Sequence, residues 1–174
     1  RSRRCADKGF PIAFHIDPMI YFEDWQIHYG ELVDQIAEQF SPKEIPYLSV
    51  GALRFQPEQR HMMRQRFGMK SLVMQGELFS SKDGKMRYER GIREQMFNFV
   101  IERFKQHDPQ WNIFLCMEQP ETWLGATQSL PQKTEGLWDL FDHKTTHLTL
   151  RKMSGNLGKM APPRGHSDTA RPNG

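Results

Sequence analysis

Apolar positions recur along this chain in two periods, and their alternation predicts an order of elements. Residues 9–16 are largely apolar and lead into His15-Ile16-Asp17-Pro18, which reads as a strand that Pro18 terminates. Trp25, Tyr29, Leu32, Val33, Ile36 and Phe40 then share one face at helical spacing, with Asp24 placed to cap the helix and Ser41-Pro42 to stop it. Residues 45–52 form a second apolar strand. Pro57 suits the first turn of a helix whose buried side would be Met62, Met63 and Phe67, with Gly68 as its stop. Residues 71–79 read as a third strand, and Asp83-Gly84 as a hairpin turn that folds residues 85–88 back on it. A long helix over residues 90–106 turns Ile92, Met96, Phe99, Val100 and Phe104 inward and leads to a fourth strand at 111–117.

Strands that alternate with helices and are continuously apolar predict an α/β fold with mostly parallel strands and one hairpin. Past Glu118 the pattern weakens. Leu137, Trp138, Leu140 and Phe141 mark a short helix over 134–143, and the glycine- and proline-rich stretch 151–174 reads as a disordered tail behind a domain of residues 1–150. At the other end, residues 1–8 read as the last turns of a helix capped by Gly9, so the chain reads as a fragment of a longer protein.

Composition narrows the class. With 37% hydrophobic and 26% charged residues, the chain is globular rather than disordered or fibrous. No apolar run approaches the roughly 20 residues of a membrane span. Cys5 and Cys116 alone make neither a disulfide framework nor a thiolate metal site, which suits a reducing cytoplasm. The net charge of +3 hides an uneven distribution. Residues 17–44 carry seven acids against Lys43, whereas residues 54–93 carry ten bases against Glu58, Glu77, Asp83 and Glu89. The basic stretch suits a surface facing phosphates, and equally a solvated helix face.

In parallel α/β folds ligands lie at the C-terminal ends of strands. That rule selects His15 and Asp17, Gly51 with Arg54, Glu77, and Cys116-Met117-Glu118. His15 and Asp17 alternate with Phe14 and Ile16, so both point to one side of their strand. Such a pair suits the polar groups of a cofactor, and equally a satisfied His–Asp hydrogen bond in the interior; no third ligand makes it a metal site. Lys82, Lys85, Arg87, Arg90 and Arg93 surround Tyr88, a composition that suits nucleic acid, the cations meeting phosphates and the ring a base. The same residues would also serve as a charged sheet edge that resists aggregation. If Asp83-Gly84 is the tip, Lys85 and Arg87 share one face and Met86 and Tyr88 the other. P-loop, GxGxxG, HExxH and GxSxG motifs are absent from the sequence, and Cys116, in an apolar strand, reads as an inert thiol.

The segment Gly9-Phe10-Pro11-Ile12-Ala13-Phe14 is similar to the Ala-Gly-Tyr-Pro strand of spore photoproduct lyases. The likeness continues through Pro18-Met19-Ile20-Tyr21, through Trp25 and Tyr29 at the family's spacing, through Arg54-Phe55, and through Lys85-Met86-Arg87-Tyr88. Over roughly residues 1–120 the chain resembles the C-terminal part of that family. The resemblance implies a partial (β/α) barrel of the radical S-adenosylmethionine type, this chain supplying later strands and so leaving an open sheet edge. It implies an enzyme that reverses the thymine dimer 5-thyminyl-5,6-dihydrothymine in DNA, using S-adenosylmethionine and a [4Fe–4S] cluster in the full-length protein. It implies that Arg54, Lys85, Arg87 and Tyr88 contact the lesion strand and that His15 and Asp17 lie near the cofactor. The family's CxxxCxxC cluster motif, hydrogen-donor cysteine and lysine-bearing strand lie upstream in the family and have no counterpart here, so this chain alone is expected to be inactive. Asp17 stands where better-known members have Ala, and the glycine-rich pattern after the hairpin is matched only at Gly91. These departures leave open whether the lesion is the spore one or that of a related repair or modification lyase. A non-enzymatic nucleic-acid-binding α/β module is the alternative.

Overall fold

The computed structural model describes residues 1–130 apart from 69, 70 and 75, so the helix expected at 134–143 and the tail at 151–174 lie outside the described residues. The chain opens with helix α1 (Ser2–Asp7). Gly9, at φ +84°, closes it, and the amides of Gly9 and Phe10 donate to the carbonyls of Ala6 and Cys5 at 2.7 and 3.1 Å. This is the expected glycine cap, in the left-handed region that a residue without Cβ enters at least cost.

Strands β1 (Phe14–Met19), β2 (Leu48–Ala52) and β6 (Ile113–Leu115) form a parallel sheet in the order β1-β2-β6. Among the described residues this sheet is open, since β1 and β6 each pair on one side only. The first strand differs from its expected course. It starts at Phe14 rather than at Gly9, and it runs through Pro18, with a cis Asp17–Pro18 peptide and a register shift between Ile16 and Met19. An edge strand tolerates the missing Pro18 N–H because one side of its ladder is unpaired.

Helices α2 (Trp25–Gln39) and α4 (Arg90–His107) cover one face of the sheet, and Ile16, Leu48, Val50 and Leu115 meet Val33, Ile36, Met96, Phe97, Val100 and Phe104 in the core. In these two helices the periodicity is borne out, with one exception: Leu32, expected on the inner face of α2, is exposed. Asp24 precedes α2 as expected, but in the left-handed conformation (φ 60°) and without a side-chain cap bond. In α4 the capping acceptor is Glu89, which takes the Gly91 amide at 2.6 Å. Central strand β2, flanked by β1 and β6, is buried at all five positions.

The other three strands are antiparallel, so the fold is more mixed than the alternation predicts. β3 (Arg54–Phe55), β4 (Leu78–Ser80) and β5 (Met86–Tyr88) pair in the order β3-β5-β4. The third strand expected over 71–79 is a 3-10 turn at Leu72–Met74 followed by the short β4. The hairpin turn forms where Asp83-Gly84 places it, with Gly84 at φ +77° and Ser81 exchanging backbone bonds with Gly84 and Lys85. Helix α3 (Gln59–Phe67) buries none of its residues, and Met62 and Phe67, expected inside, are exposed. Helix α5 (Pro120–Thr127) closes the described chain on α4, where Gly125 makes room for the Glu94 carboxylate and Asn98 donates to the Ala126 carbonyl at 3.2 Å.

Candidate functional site

Side chains alternate along the parallel strands, so the face opposite α2 and α4 carries two rows. His15, Ser49 and Phe114 are in register in the first. Asp17, Gly51 and Cys116 follow two residues on, at the C-terminal ends of β1, β2 and β6. The strand-end rule thus brings together residues far apart in sequence.

Asp17 is the centre of the second row. Arg54 grips its carboxylate with two bonds, Nη1 to Oδ1 at 3.2 Å and Nη2 to Oδ2 at 3.0 Å. Arg54 also reaches the Ala52 carbonyl and, at 3.4 Å, Cys116 Sγ. Burial opposes the Arg54 charge, but the hydrogen bonds and charge of Asp17 outweigh it and raise the guanidinium above its ordinary value. Burial first, and then the Asp17 carboxylate, pushes the Cys116 thiol up, in keeping with an inert thiol that accepts from Arg54. Gly51 is required here for space: a Cβ would stand 2.7 Å from the Asp17 carboxylate.

His15 is less engaged. It is exposed and shares a 2.8 Å hydrogen bond with the Tyr47 hydroxyl, not with Asp17. The internal His–Asp bond that sequence also allowed does not form.

A second cluster adjoins the first through the ladder. Arg54 and Arg87 are cross-strand partners, so two like charges stand directly opposite, which is unfavourable unless acids neutralise both. Asp17 neutralises one. Arg87 is met by Asp83 Oδ2 at 2.5 Å and donates to the Met117 carbonyl at 3.2 Å, and Glu118 Oε1 lies 3.6 Å away. Glu118 also bonds Arg93, whose Nε donates to the Tyr88 carbonyl at 3.1 Å. The side chains of Glu118, Arg87 and Arg93 are 1%, 8% and 11% exposed, so this is a buried network. Among the described residues, Arg87 Nε and Glu118 Oε1 have no hydrogen-bond partner. Cys116-Met117-Glu118 links the two clusters, Cys116 facing Asp17 and Arg54 while Glu118 faces the arginines. Met117 between them is held at φ +53°, an uncommon conformation for a side-chain-bearing residue.

Tyr88 lies inside. It is 2% exposed, its hydroxyl accepts from the Tyr21 amide at 3.2 Å, and Tyr21 packs edge-on against its ring. Tyr29 does the same one residue earlier, accepting from the Ile20 amide at 2.8 Å. The two tyrosines pin the segment after β1 to the hairpin and to α2. Of the hairpin residues expected at DNA, Lys85 is half-buried while Arg87 and Tyr88 are covered, and the neighbouring Lys82 is exposed.

No group of three or more His, Cys, Asp or Glu among the described residues is arranged to hold a metal ion. No helix among them is long and apolar enough to cross a membrane.

A family model described as spore photoproduct lyase matches residues 1–113. The chain belongs to the spore photoproduct lyase family. That is a family of enzymes, and the match takes in β1, the Trp25 and Tyr29 positions, Arg54 and the hairpin. Solved structures agree in fold. A spore photoproduct lyase complexed with dinucleoside spore photoproduct is 19% identical, with a TM-score of 0.51 over 65% of this chain and 35% of that one. A cysteine-to-alanine mutant of spore photoproduct lyase with the same dinucleoside is 18% identical, with a TM-score of 0.53 over the same shares. A double mutant with bound AdoMet and the dinucleoside matches at 18% identity and a TM-score of 0.50. The chain therefore spans about a third of the length of these lyase structures. No curated protein matches.

Proposed function

We propose that this chain forms the lesion-facing later strands of a radical S-adenosylmethionine lyase that repairs a thymine photoproduct in DNA. The observation that carries the reading is that Arg54 and the basic hairpin, both within the lyase-family match, adjoin one another and the strand-end cluster that Arg54 forms with Asp17 and Cys116. The open parallel sheet suits a partial (β/α) barrel completed by other strands, and the dinucleoside and AdoMet bound in solved lyases of similar fold support this choice of substrate and cofactor classes.

The donor sets divide the two cofactors. His15 and the Asp17–Arg54 pair suit the polar and zwitterionic groups of S-adenosylmethionine, which when bound and reductively cleaved supplies a 5′-deoxyadenosyl radical. The described residues do not suit a [4Fe–4S] cluster: Cys5 is exposed near the start of the chain and Cys116 is committed to Asp17 and Arg54. What these residues do is hold shape. Arg54, Arg87 and Tyr88 fix the hairpin against the strand ends, leaving Lys82 and Lys85 to meet phosphates of the lesion strand.

Titration of the full 174-residue chain with a labelled oligothymidylate, with and without the photoproduct, tests this reading. Tighter binding of the lesion strand is expected, with log K falling linearly in log salt. Lys82→Ala with Lys85→Ala should weaken binding and reduce the salt slope by about 1–2. Equal affinity for both strands would refute lesion recognition, and an unaltered double variant would take the hairpin out of the interface.

A further inference from the structure

We infer that Phe79, not Tyr88, is the side chain on which the hairpin stacks an unpaired nucleobase, an inference that rests on the nucleic-acid reading above. The hairpin offers two aromatic residues in opposite situations. Tyr88 is 2% exposed and bound through its hydroxyl to the Tyr21 amide. Its ring lies so near Gly76 that a Cβ there would come within 3.2 Å. It is a strut between the two sheets, with no ring face to offer.

Phe79, on β4, is 52% exposed. It stands in register with Arg87 on β5, which stands in register with Arg54 on β3, so Phe79, Arg87 and Arg54 share one face of the antiparallel sheet. That face borders the strand-end cluster. Met117, whose carbonyl accepts from Arg87, adds a second apolar side chain at the same place, 60% exposed. The exposed Phe79 ring thus lies beside the buried Arg87, whose guanidinium donates to the backbone of the exposed Met117, and the turn beyond carries Lys82 and Lys85.

An aromatic face set among cations suits a single-stranded nucleic acid, because the ring takes the π-face of any base while the cations take its phosphates. Arg87 is held by Asp83 and Glu118 and Arg90 pairs with Glu94, so Lys82 and Lys85 at the turn are the cations set to favour a polyanion over an acidic or neutral partner.

The test uses the full chain and a fluorescent oligothymidylate. Phe79→Ala and Phe79→Leu should each weaken binding roughly 5- to 100-fold with the salt slope unchanged, since a stack and no charge is lost. Phe79→Trp should retain affinity. Tyr88→Phe, which keeps the ring and removes only the hydroxyl bond, should bind as the wild type does. Irradiation with a 5-iodouracil-substituted strand should place the cross-link on Phe79. Wild-type affinity in Phe79→Leu, with a normal thermal melt, overturns the assignment while leaving the hairpin lysines in play. A wild-type chain that binds no oligothymidylate removes the nucleic-acid reading, and this inference with it.

Discussion

Two carboxylates in this chain each hold a pair of bases, one outside the helical layer and one where the two sheets meet. Asp34 on α2 accepts from Arg103 at 2.8 and 2.6 Å and from His107 at 2.7 Å, clasping α2 to α4. All three groups of that clasp reach solvent, so water and salt screen it and its removal uncovers no stranded charge. Glu118 stands between Arg87 and Arg93 with its side chain 1% exposed. There each charge is tolerable only while its partners are present. The first cluster decorates a helix pair already held by apolar packing. The second fixes where a functional hairpin sits, because Arg87 lies on β5 and Arg93 on the first turns of α4, and Glu118 follows β6.

The sharpest way to break this contrast is Glu118→Ala. It leaves two buried guanidiniums short of their shared acid, a loss of about 3–5 kcal/mol, which lowers Tm by on the order of 10 °C in a domain of this size. Thermal or urea unfolding would check it, and a loss below about 1 kcal/mol would mean that water reaches the arginines and the network is not truly buried. Gly51→Ala should come next. The new methyl meets the Asp17 carboxylate at 2.7 Å and either displaces it from Arg54 or shifts β2, at about 1–3 kcal/mol. A double-mutant cycle sharpens the point: adding Asp17→Ala removes what the methyl collides with. The pair should then be less destabilised than the sum of the single changes, whereas additivity would place the strain elsewhere.

What the sequence discloses follows the same division. Period and turn chemistry disclose α2, α4, β2 and the hairpin, because each is fixed by local spacing and by glycines such as Gly9 and Gly84. They do not disclose what covers a face. Alternation correctly sets Lys85 and Arg87 against Met86 and Tyr88, yet the covered ring of Tyr88 follows from Tyr21 and Gly76, which the hairpin's own residues do not reveal. For the same reason α3 reads as amphipathic although Met62 and Phe67 are exposed. The strand-end rule finds Asp17, Arg54 and Cys116 separately. Their union needs the parallel pairing of β1, β2 and β6, which no local signal states. Glu118 was visible as a strand-end acid, but its role depends on two arginines 31 and 25 residues upstream that only the fold delivers. Helix α5 escapes notice because it is short and has Gly125 in its middle, where proximity to Glu94 rather than helical propensity governs the choice.

The exposed clasp gives the smallest effect and the cleanest pH signature. Arg103 first, and His107 after it, hold the Asp34 carboxyl down to about 2 from an ordinary value of 3.8. A depressed folded-state value means the unfolded chain takes up its proton first as pH falls. The contribution is therefore complete above about pH 5, declines from near pH 4, and is gone below about pH 2. Solvent screening keeps it at about 1 kcal/mol or less. Asp34→Asn should accordingly unfold slightly more easily than the wild type at pH 6 and 0.1 M salt. The two stability curves should converge as pH falls through that window, or as salt rises at pH 6. Glu44, held low first by the Ser41 amide and then by Arg3, and Asp83, held low by Arg87, lose stability over an overlapping acid range in both proteins, so only the difference between the curves reports on Asp34. A difference that persists unchanged at pH 2 would assign the effect to packing of the Asp34 side chain rather than to its charge. The exposed and buried clusters would then differ less than their surroundings imply.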